Sequence, residues 1–261
     1  MSLSDSAAHN EVFEVINGAG RGGALILCEH ASHHIPSRYS DLGLAEADRH
    51  SHAAWDPGAR AVAIALSQAL DSPLVASSVS RLVYDCNRPP EVASAMPEKS
   101  ELIEVPGNKG LSAEQRQERV QTVYQPFCDA VARVIADRQT AGLETAIVTI
   151  HSFTPVYYGV HRPVEIGILH DSDSRFADAM LAQAPALPQR RVERNTPYGP
   201  EDGVTHSLQL HGIKNGLANV MIEVRNDLLR NTAEEAQMTD ELLTLLRPAL
   251  AVLQPKGETG A

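Results

Sequence analysis

The sequence predicts an α/β protein with three layers, in which helices cover both faces of a central sheet. Short runs of β-branched and aliphatic residues, typical of buried strands, alternate with longer segments of helical periodicity. The 261 residues are 43% hydrophobic but only 4% aromatic, which is enough for one sizeable core made mainly of aliphatic side chains. We therefore expect a single α/β domain over residues 1–253 and a disordered tail over residues 254–261.

Six apolar runs are predicted to be strands. They span residues 11–16, 24–28, 73–77, 146–150, 164–169 and 219–224. Between the first two runs, Gly18, Gly20 and Gly23 match the string G-x-G-x-x-G. A dinucleotide-binding fingerprint must open a helix, whereas this segment leads into another strand. We interpret it as a loop.

Helical periodicity marks five segments. They span residues 44–70, 112–142, 175–184, 204–215 and 233–253. The first is interrupted at Pro57, which suits the first turn of a new helix with Asp56 at or near its N-cap. A capping-box pattern begins at Ser112, and Pro126 is predicted to kink the helix that follows. Residues 91–111 are predicted to form a surface loop of a length that is usually functional or mobile.

The net charge indicates which binding partners are unfavourable, and the cysteine content indicates the redox compartment. The net charge of −11 disfavours nucleic acid or an anionic membrane as a partner, although a local arginine cluster could still bind an anionic substrate. Cys28, Cys86 and Cys128 are odd in number and form no C-x-x-C motif, which favours a reducing compartment. Without a signal-peptide pattern or an apolar run near 20 residues, we expect a cytoplasmic protein. The oligomeric state stays open.

Two histidines stand at the ends of predicted strands, and we predict that they are two halves of one metal site. They are His30 and His151, and ligands of open α/β sheets collect beyond the carboxyl ends of strands. A catalytic zinc takes three protein ligands, and Asp56 is the best third candidate. The alternative for His30 is a hydrogen-bonded core or surface histidine. Four further histidines crowd this region, and residue types do not choose among them: His33, His34, His50 and His52.

An acidic residue also stands in a strand that is otherwise apolar. Glu223 would be costly there unless it were paired or used. Within reach of a metal-activated water it would be the general base. The alternative is a structural pair with Arg225.

The candidates for substrate binding lie further along the chain. Arg81 and Arg88 could each bind a planar carboxylate in bidentate fashion, and Asn87 could add an amide donor. The alternative is a structural salt bridge from an arginine to Asp85. Ser152 lacks the G-x-S-x-G surroundings of a nucleophilic serine, so a serine hydrolase is not expected.

Taken in order, these motifs resemble the N-formylglutamate amidohydrolase family from about residue 20 to 250. The motifs are Glu29-His30-Ala-Ser, Trp55-Asp56, Ser80-Arg81, Asp85-Cys-Asn87-Arg88-Pro89, His151-Ser152 and Ile222-Glu223-Val-Arg-Asn-Asp227. The resemblance implies a zinc-carboxypeptidase-like and aspartoacylase-like architecture with a mixed sheet between helices. It also implies zinc, or another divalent metal, held by His30, Asp56 and His151, with Glu223 activating water.

The same resemblance implies a small acidic N-acyl amino acid as substrate. N-formyl-L-glutamate would be hydrolysed to formate and L-glutamate, as in histidine degradation. Arg88, favoured over Arg81, and Asn87 would bind the substrate carboxylate, and Ser152 and Arg225 are further candidates for substrate binding.

Two motifs depart from the pattern of the enzymes of histidine breakdown. Those enzymes tend to show Pro-His-Ser-Gly where this chain has Glu29-His30-Ala-Ser, and Glu-x-Ser-Gln where it has Glu223-Val-Arg-Asn. The metal chemistry therefore carries over better than the substrate. A deacylase or carboxypeptidase for another N-acyl amino acid or peptide is one alternative. A non-catalytic binding protein for an acidic metabolite is the other.

Overall fold

A mixed sheet of eight strands forms the middle layer of the protein. The computed structural model describes residues 9–10 and 12–253. Four further short strands form two two-stranded hairpins outside this sheet. In chain order the strands are β1 (His9–Asn10), β2 (Phe13–Ile16), β3 (Ala24–Cys28), β4 (Leu74–Ser77), β5 (Lys99–Ser100), β6 (Ile103–Glu104), β7 (Ala146–Phe153), β8 (Val156–Tyr157), β9 (Val160–His161), β10 (Ile166–Leu169), β11 (Val192–Arg194) and β12 (Asn219–Arg225).

The centre of the sheet is parallel and its flanks contain antiparallel pairs. The strand order is β1-β2-β4-β3-β7-β12-β10-β11. The neighbours β4, β3, β7 and β12 are parallel, whereas β2 runs antiparallel to β4, and β10 runs antiparallel to β12. The mixed sheet is therefore confirmed. The carboxyl ends of the four central strands meet at one edge.

Helices cover both faces of the sheet, which confirms the three-layer arrangement. They are α1 (Glu46–Arg49), α2 (Ala59–Ala69), α3 (Ala113–Arg119), α4 (Gln125–Thr140), α5 (Arg175–Leu181) and α6 (Thr232–Leu253). On one face α2, α5 and α6 share a core with Ala24, Ile26 and Cys28, while α4 shares the opposite core with Leu25 and Leu27. Side chains alternate across β3, so a strand buried on both faces becomes a continuous apolar run.

The predicted helix over residues 44–70 is wrong in its middle. Only α1 and α2 are helical, and Asp56 is not the N-cap of α2. Gly58 holds that position with a left-handed φ of +80°, and the N–H of Ala59 donates to the backbone oxygen of Asp56 at 3.2 Å. Pro57 disfavours helical geometry in the residue before it, so the chain turns here and the Asp56 side chain is free to point elsewhere.

Two other helical segments differ in detail from the prediction. Segment 112–142 passes through a π-helical turn at Val120–Tyr124, which leads directly into the first turn of α4, where Pro126 lies; a π-helical turn and a proline are both causes of helix bending. The capping box at Ser112 is confirmed. Segment 204–215 contains a π-helical turn, Leu208–Gly212, and a 3₁₀ turn, Ile213–Asn215.

Some shorter features also differ from the sequence prediction. The predicted strand over 146–150 continues to Phe153, and the predicted helix over 175–184 ends at Leu181. β11 and both hairpins are too short for periodicity to reveal, and β5–β6 interrupts the predicted loop. Glu11 and the tail at 254–261 lie outside the described residues. Within the described part, no helix combines the length and apolarity needed to cross a membrane.

Candidate metal centre

The carboxyl edge of the parallel strands brings the predicted chemical groups together. β3 leads into Glu29 and His30, β7 carries His151, and β12 carries Glu223, which pairs directly with His151 in register. Asp56 enters from the turn before α2, where its backbone N–H donates to the backbone oxygen of His30 at 3.0 Å. Residues up to 194 positions apart in sequence thus share one site because parallel strands end at the same edge.

Three side-chain atoms form a small buried triangle. His30 Nδ1 lies 3.2 Å from Asp56 Oδ2, His151 Nδ1 lies 3.0 Å from the same oxygen, and the two Nδ1 atoms are 3.1 Å apart. Zinc–ligand distances of 2.0–2.2 Å would separate tetrahedral ligand atoms by about 3.3–3.6 Å, slightly more than the edges of this triangle. The group could therefore hold a metal ion, and no other such group occurs among the described residues.

A carboxylate lies behind each histidine of the triangle. His30 Nε2 is 2.7 Å from Asp85 Oδ1. His151 Nε2 is 3.3 Å from Glu29 Oε2, although the pair is not aligned as a hydrogen bond. A neutral histidine that keeps its proton on Nε2, towards a carboxylate, turns its Nδ1 lone pair into the triangle. Two such lone pairs and a carboxylate oxygen could together coordinate a cation. Carboxylates behind metal-binding histidines commonly orient the imidazole rings in this way.

Negative charge exceeds positive charge around the triangle. The buried carboxylates are Glu29, Asp56, Asp85 and Glu223. Arg81 is the guanidinium among them, and it donates to Asp56 Oδ1 and Asp85 Oδ2, each at 3.2 Å. Burial lowers the pKa of His151, but the carboxylates of Glu29 and Asp56 outweigh it and raise that pKa well above its usual range. The site therefore attracts protons or a metal cation.

The Glu223 carboxyl group is available for chemistry. Its side chain is buried, and Oε2 has no hydrogen-bond partner in the described structure. Burial raises the pKa of Glu223 to about 7, with Asp56 adding to the rise and His151 opposing it. A carboxyl group with a pKa near neutrality can both accept and return a proton.

A cavity of about 100 Å³ opens beside Asp56 and Arg81. The other residues that line it include His52, Ser100, Glu101, Ser152, Phe153, Thr154, Tyr157 and Tyr198. Glu101 links its two walls, because Oε2 lies 2.8 Å from His52 Nε2 and Oε1 accepts the N–H of Tyr158 at 3.0 Å. The hairpins β5–β6 and β8–β9 therefore help to enclose the space next to the triangle.

The geometry selects His30 from the crowded histidines. The His33 ring contacts that of His50 in a tilted arrangement at a centre-to-centre distance of 4.5 Å, and that of Trp55 edge-on at 5.0 Å. His52 lines the cavity without joining the triangle.

Several of the predicted substrate-binding side chains are engaged elsewhere. Asn87 Nδ2 donates to the backbone oxygen of Val204 at 2.6 Å, and Asn87 Oδ1 accepts the N–H of Ser207 at 2.9 Å. Arg88 Nη1 donates to the backbone oxygen of Gly203 at 2.7 Å and lines a different cavity. Neither side chain joins the cavity beside Asp56.

Ser152 and Arg225 have different positions. The N–H of Ser152 donates to Asp56 Oδ2 at 3.2 Å, and its hydroxyl donates to the backbone oxygen of Pro57 at 2.8 Å. Ser152 thereby positions the Asp56 turn. Arg225 does not pair with Glu223; its Nε donates to Asp227 Oδ1 at 2.8 Å.

The sequence reasoning missed Glu29 and underrated Asp85. Glu29 directly follows an apolar strand, so the same kind of signal that marks Glu223, an acidic residue next to apolar strand residues, also marks Glu29. The sequence around Asp85 predicts a salt bridge to an arginine, and nothing local pairs Asp85 with His30, 55 residues away.

Fold and site together define an α/β protein with a buried candidate metal centre at the carboxyl edge of a mixed sheet. The sequence model of the N-formylglutamate amidohydrolase family matches residues 23–230. The chain therefore belongs to the N-formylglutamate amidohydrolase family, which supports an amide-hydrolysing activity. No curated protein matches the sequence.

Solved structures resemble the chain over most of its length. Gene product Atu2144 from Agrobacterium tumefaciens is 54% identical, with a TM-score of 0.92 over 94% of this chain and 97% of that one. N-formylglutamate amidohydrolase from Ralstonia eutropha JMP134 is 18% identical, with a TM-score of 0.66 over 93% and 98%, and shares the fold. Succinylglutamate desuccinylase from Chromobacterium violaceum is 13% identical, with a TM-score of 0.42 over 94% and 74%.

Proposed function

We propose that this protein is a metal-dependent amidohydrolase that converts N-formyl-L-glutamate and water to formate and L-glutamate. The observation that carries the proposal is the buried His30–Asp56–His151 triangle with Glu223 beside it, whose Oε2 has no hydrogen-bond partner among the described residues. Family membership supports the class of reaction.

The triangle would hold the metal, and we propose zinc because two nitrogens and one oxygen are a common catalytic zinc set. When bound, zinc supplies a Lewis acid that polarises the amide carbonyl and lowers the pKa of water towards about 7. Other divalent metals accept similar ligands.

Glu223 would move the proton that hydrolysis requires. Its carboxylate takes a proton from the attacking water at Oε2, and the oxygen of that water forms a bond to the formyl carbon. The C–N bond then breaks, and Glu223 returns the proton to the leaving nitrogen. A pKa of about 7 suits both transfers.

The size of the cavity supports a small substrate. A space of about 100 Å³ is well below the ~300–1,000 Å³ of pockets for drug-sized ligands, which favours a formyl amino acid over a peptide. Cys28, Cys86 and Cys128 are buried and free of disulfides, which supports a reducing compartment such as the cytoplasm. There the reaction would serve histidine degradation.

Metal analysis and a substrate panel test the proposal. Wild-type protein purified without chelators should contain about one zinc per chain, and His151→Ala should contain far less. Formate release should be fastest with N-formyl-L-glutamate, compared with N-acetyl amino acids and dipeptides. A metal-free wild type that hydrolyses none of these after zinc is added would contradict the proposal. Preference for acetyl or peptide substrates would assign a deacylase or carboxypeptidase instead.

The role of Glu223 has its own test. Glu223→Gln should keep its metal and lose about 10²–10⁴-fold in kcat, the usual contribution of general acid–base catalysis. Glu144→Gln, at an exposed position, should match wild type. Wild-type turnover in Glu223→Gln would remove Glu223 from this role, and ligand binding without turnover in wild type would indicate a binding protein.

A further inference from the structure

One further arginine, outside the predicted set of site residues, lies next to the cavity. Arg162 directly follows the hairpin β8–β9, and both its backbone N–H and its backbone carbonyl oxygen form hydrogen bonds. Its N–H donates to the backbone oxygen of Pro155 at 2.8 Å, and its carbonyl oxygen accepts a hydrogen bond from Arg225 Nη1 at 3.2 Å. Arg225, which we expected to bind substrate, instead fixes the backbone that carries Arg162.

The Arg162 guanidinium lies against three aromatic residues that line the cavity. Its Cζ atom is 4.3 Å from the ring centre of Tyr157, 4.8 Å from that of Tyr198 and 5.8 Å from that of Phe153. Contacts between a guanidinium and aromatic faces are attractive and limit its orientation. The charge of Arg162 is therefore held next to the space beside the metal triangle.

Most of the hydrogen-bonding capacity of Arg162 is unused. A guanidinium has five N–H donors, and the one side-chain hydrogen bond found for Arg162 in the described structure joins Nη1 to the Tyr198 hydroxyl at 3.0 Å. No carboxylate of residues 9–10 or 12–253 forms an ion pair with it. Glu101, on the same cavity wall, has one oxygen beside His52 and the other on the N–H of Tyr158.

The other arginines near the site are held by other partners. Arg81 bonds Asp56 and Asp85. Arg88 bonds the backbone at Gly203, and Arg225 bonds Asp227 as well as backbone oxygens. Among these four arginines, Arg162 contacts the lining of this cavity without an ion pair to a described carboxylate, so its remaining donors are available to a substrate anion.

On the basis of the proposed function, we infer that Arg162 binds a carboxylate of an N-acyl amino acid substrate. The fork of a guanidinium matches the two oxygens of a carboxylate. Tyr157 and Tyr198 hold that fork in place. This contact makes the site selective for acyl amino acids that carry a carboxylate at the contacted position.

Steady-state kinetics with matched ligands test the inference. N-formyl-L-glutamate would be compared with its two monoamides, N-formyl-L-glutamine and the α-amide, in the zinc-loaded wild type, Arg162→Gln and Arg162→Lys. Exposed Arg133→Gln serves as the control, and zinc content and circular dichroism confirm that each variant is folded and loaded.

Arg162→Gln should raise KM for N-formyl-L-glutamate about 10- to 100-fold, the effect of losing a charged hydrogen-bonded pair. The kcat should change little, because the contact is equal in the ground and transition states. The variant should also lose the wild-type preference for the diacid over one of the two monoamides. Arg162→Lys should show an intermediate KM, because it keeps the charge without the fork. Arg133→Gln should behave as wild type.

Two results would overturn the inference while leaving the proposed function intact. One is that Arg162→Gln has the KM of wild type and keeps the preference for the diacid over the monoamides. If the glutamine variant does not fold, the same result in Arg162→Lys counts instead. The other is an equal loss of kcat on all three ligands, which would indicate a purely structural role. A wild type that hydrolyses none of the ligands would refute the proposed function and this inference together.

Discussion

Replacing Asp85 with asparagine tests whether a carboxylate behind His30 tunes the metal centre. Asp85 Oδ1 lies 2.7 Å from His30 Nε2, and Oδ2 accepts Arg81 Nη2 at 3.2 Å. Asparagine keeps the volume and one oxygen for His30, but it removes the negative charge and faces Arg81 with an amide. Loss of such an outer partner usually lowers metal affinity about 10- to 100-fold, or roughly 1.4 to 2.7 kcal/mol.

The assay is competition for Zn²⁺ between the metal-free protein and a chromophoric chelator. Asp85→Asn should bind zinc about 10- to 100-fold more weakly than wild type, whereas exposed Asp240→Asn should bind equally well. Circular dichroism checks that both variants are folded. A folded Asp85→Asn with wild-type zinc affinity would refute the idea that Asp85 orients His30 for a metal.

Three further predictions concern stability. Metal removal should lower the melting temperature of wild type, because a ligand present at 100 times its Kd stabilises the folded state by about 2.7 kcal/mol. The melting temperature of His151→Ala, which lacks one proposed ligand, should not change. Equal melting temperatures of wild type with and without chelator would contradict this prediction. Gly58→Ala should destabilise the fold by several kcal/mol more than Gly142→Ala. Both glycines have a left-handed φ, but only at Gly58 would an added Cβ lie 2.4 Å from the Leu229 side chain. Equal free energies of unfolding of the two variants in chemical denaturation would count against the clash. Burial lowers the pKa of His211 to about 4, below the ~6.5 of an unfolded histidine, so the unfolded state binds more protons and stability falls as pH drops from about 6.5 to 4. In His211→Gln the free energy of unfolding should fall by on the order of 3 kcal/mol less than in wild type over this pH range. Denaturation curves of the variant with the same pH dependence as wild type would refute the prediction.

Six of the eight strands of the central sheet could be predicted because each has a local cause. β3, β7 and β12 are buried on both faces, so they are nearly continuous apolar runs, and the acidic or histidine residues at their ends stand out. The short helix α1 and the π-helical turns could not be predicted, because helical periodicity continues through them. The hairpins that enclose the cavity are two residues per strand, too short for alternation to show.

By itself, the sequence determined the layered α/β architecture and the histidine and acidic residues at the strand ends, since apolar periodicity and an unexpected polar residue are local properties. With the resemblance, it also identified His30, Asp56 and His151 as one candidate ligand set. Only the tertiary structure decided which side chains surround that set, because those contacts join residues far apart in the chain. Asp85 lies behind His30, Arg88 turns towards Gly203, and Arg162 lies beside the cavity. Sequence spacing cannot distinguish these three positions, because the direction of each side chain depends on hydrogen bonds and packing with distant segments.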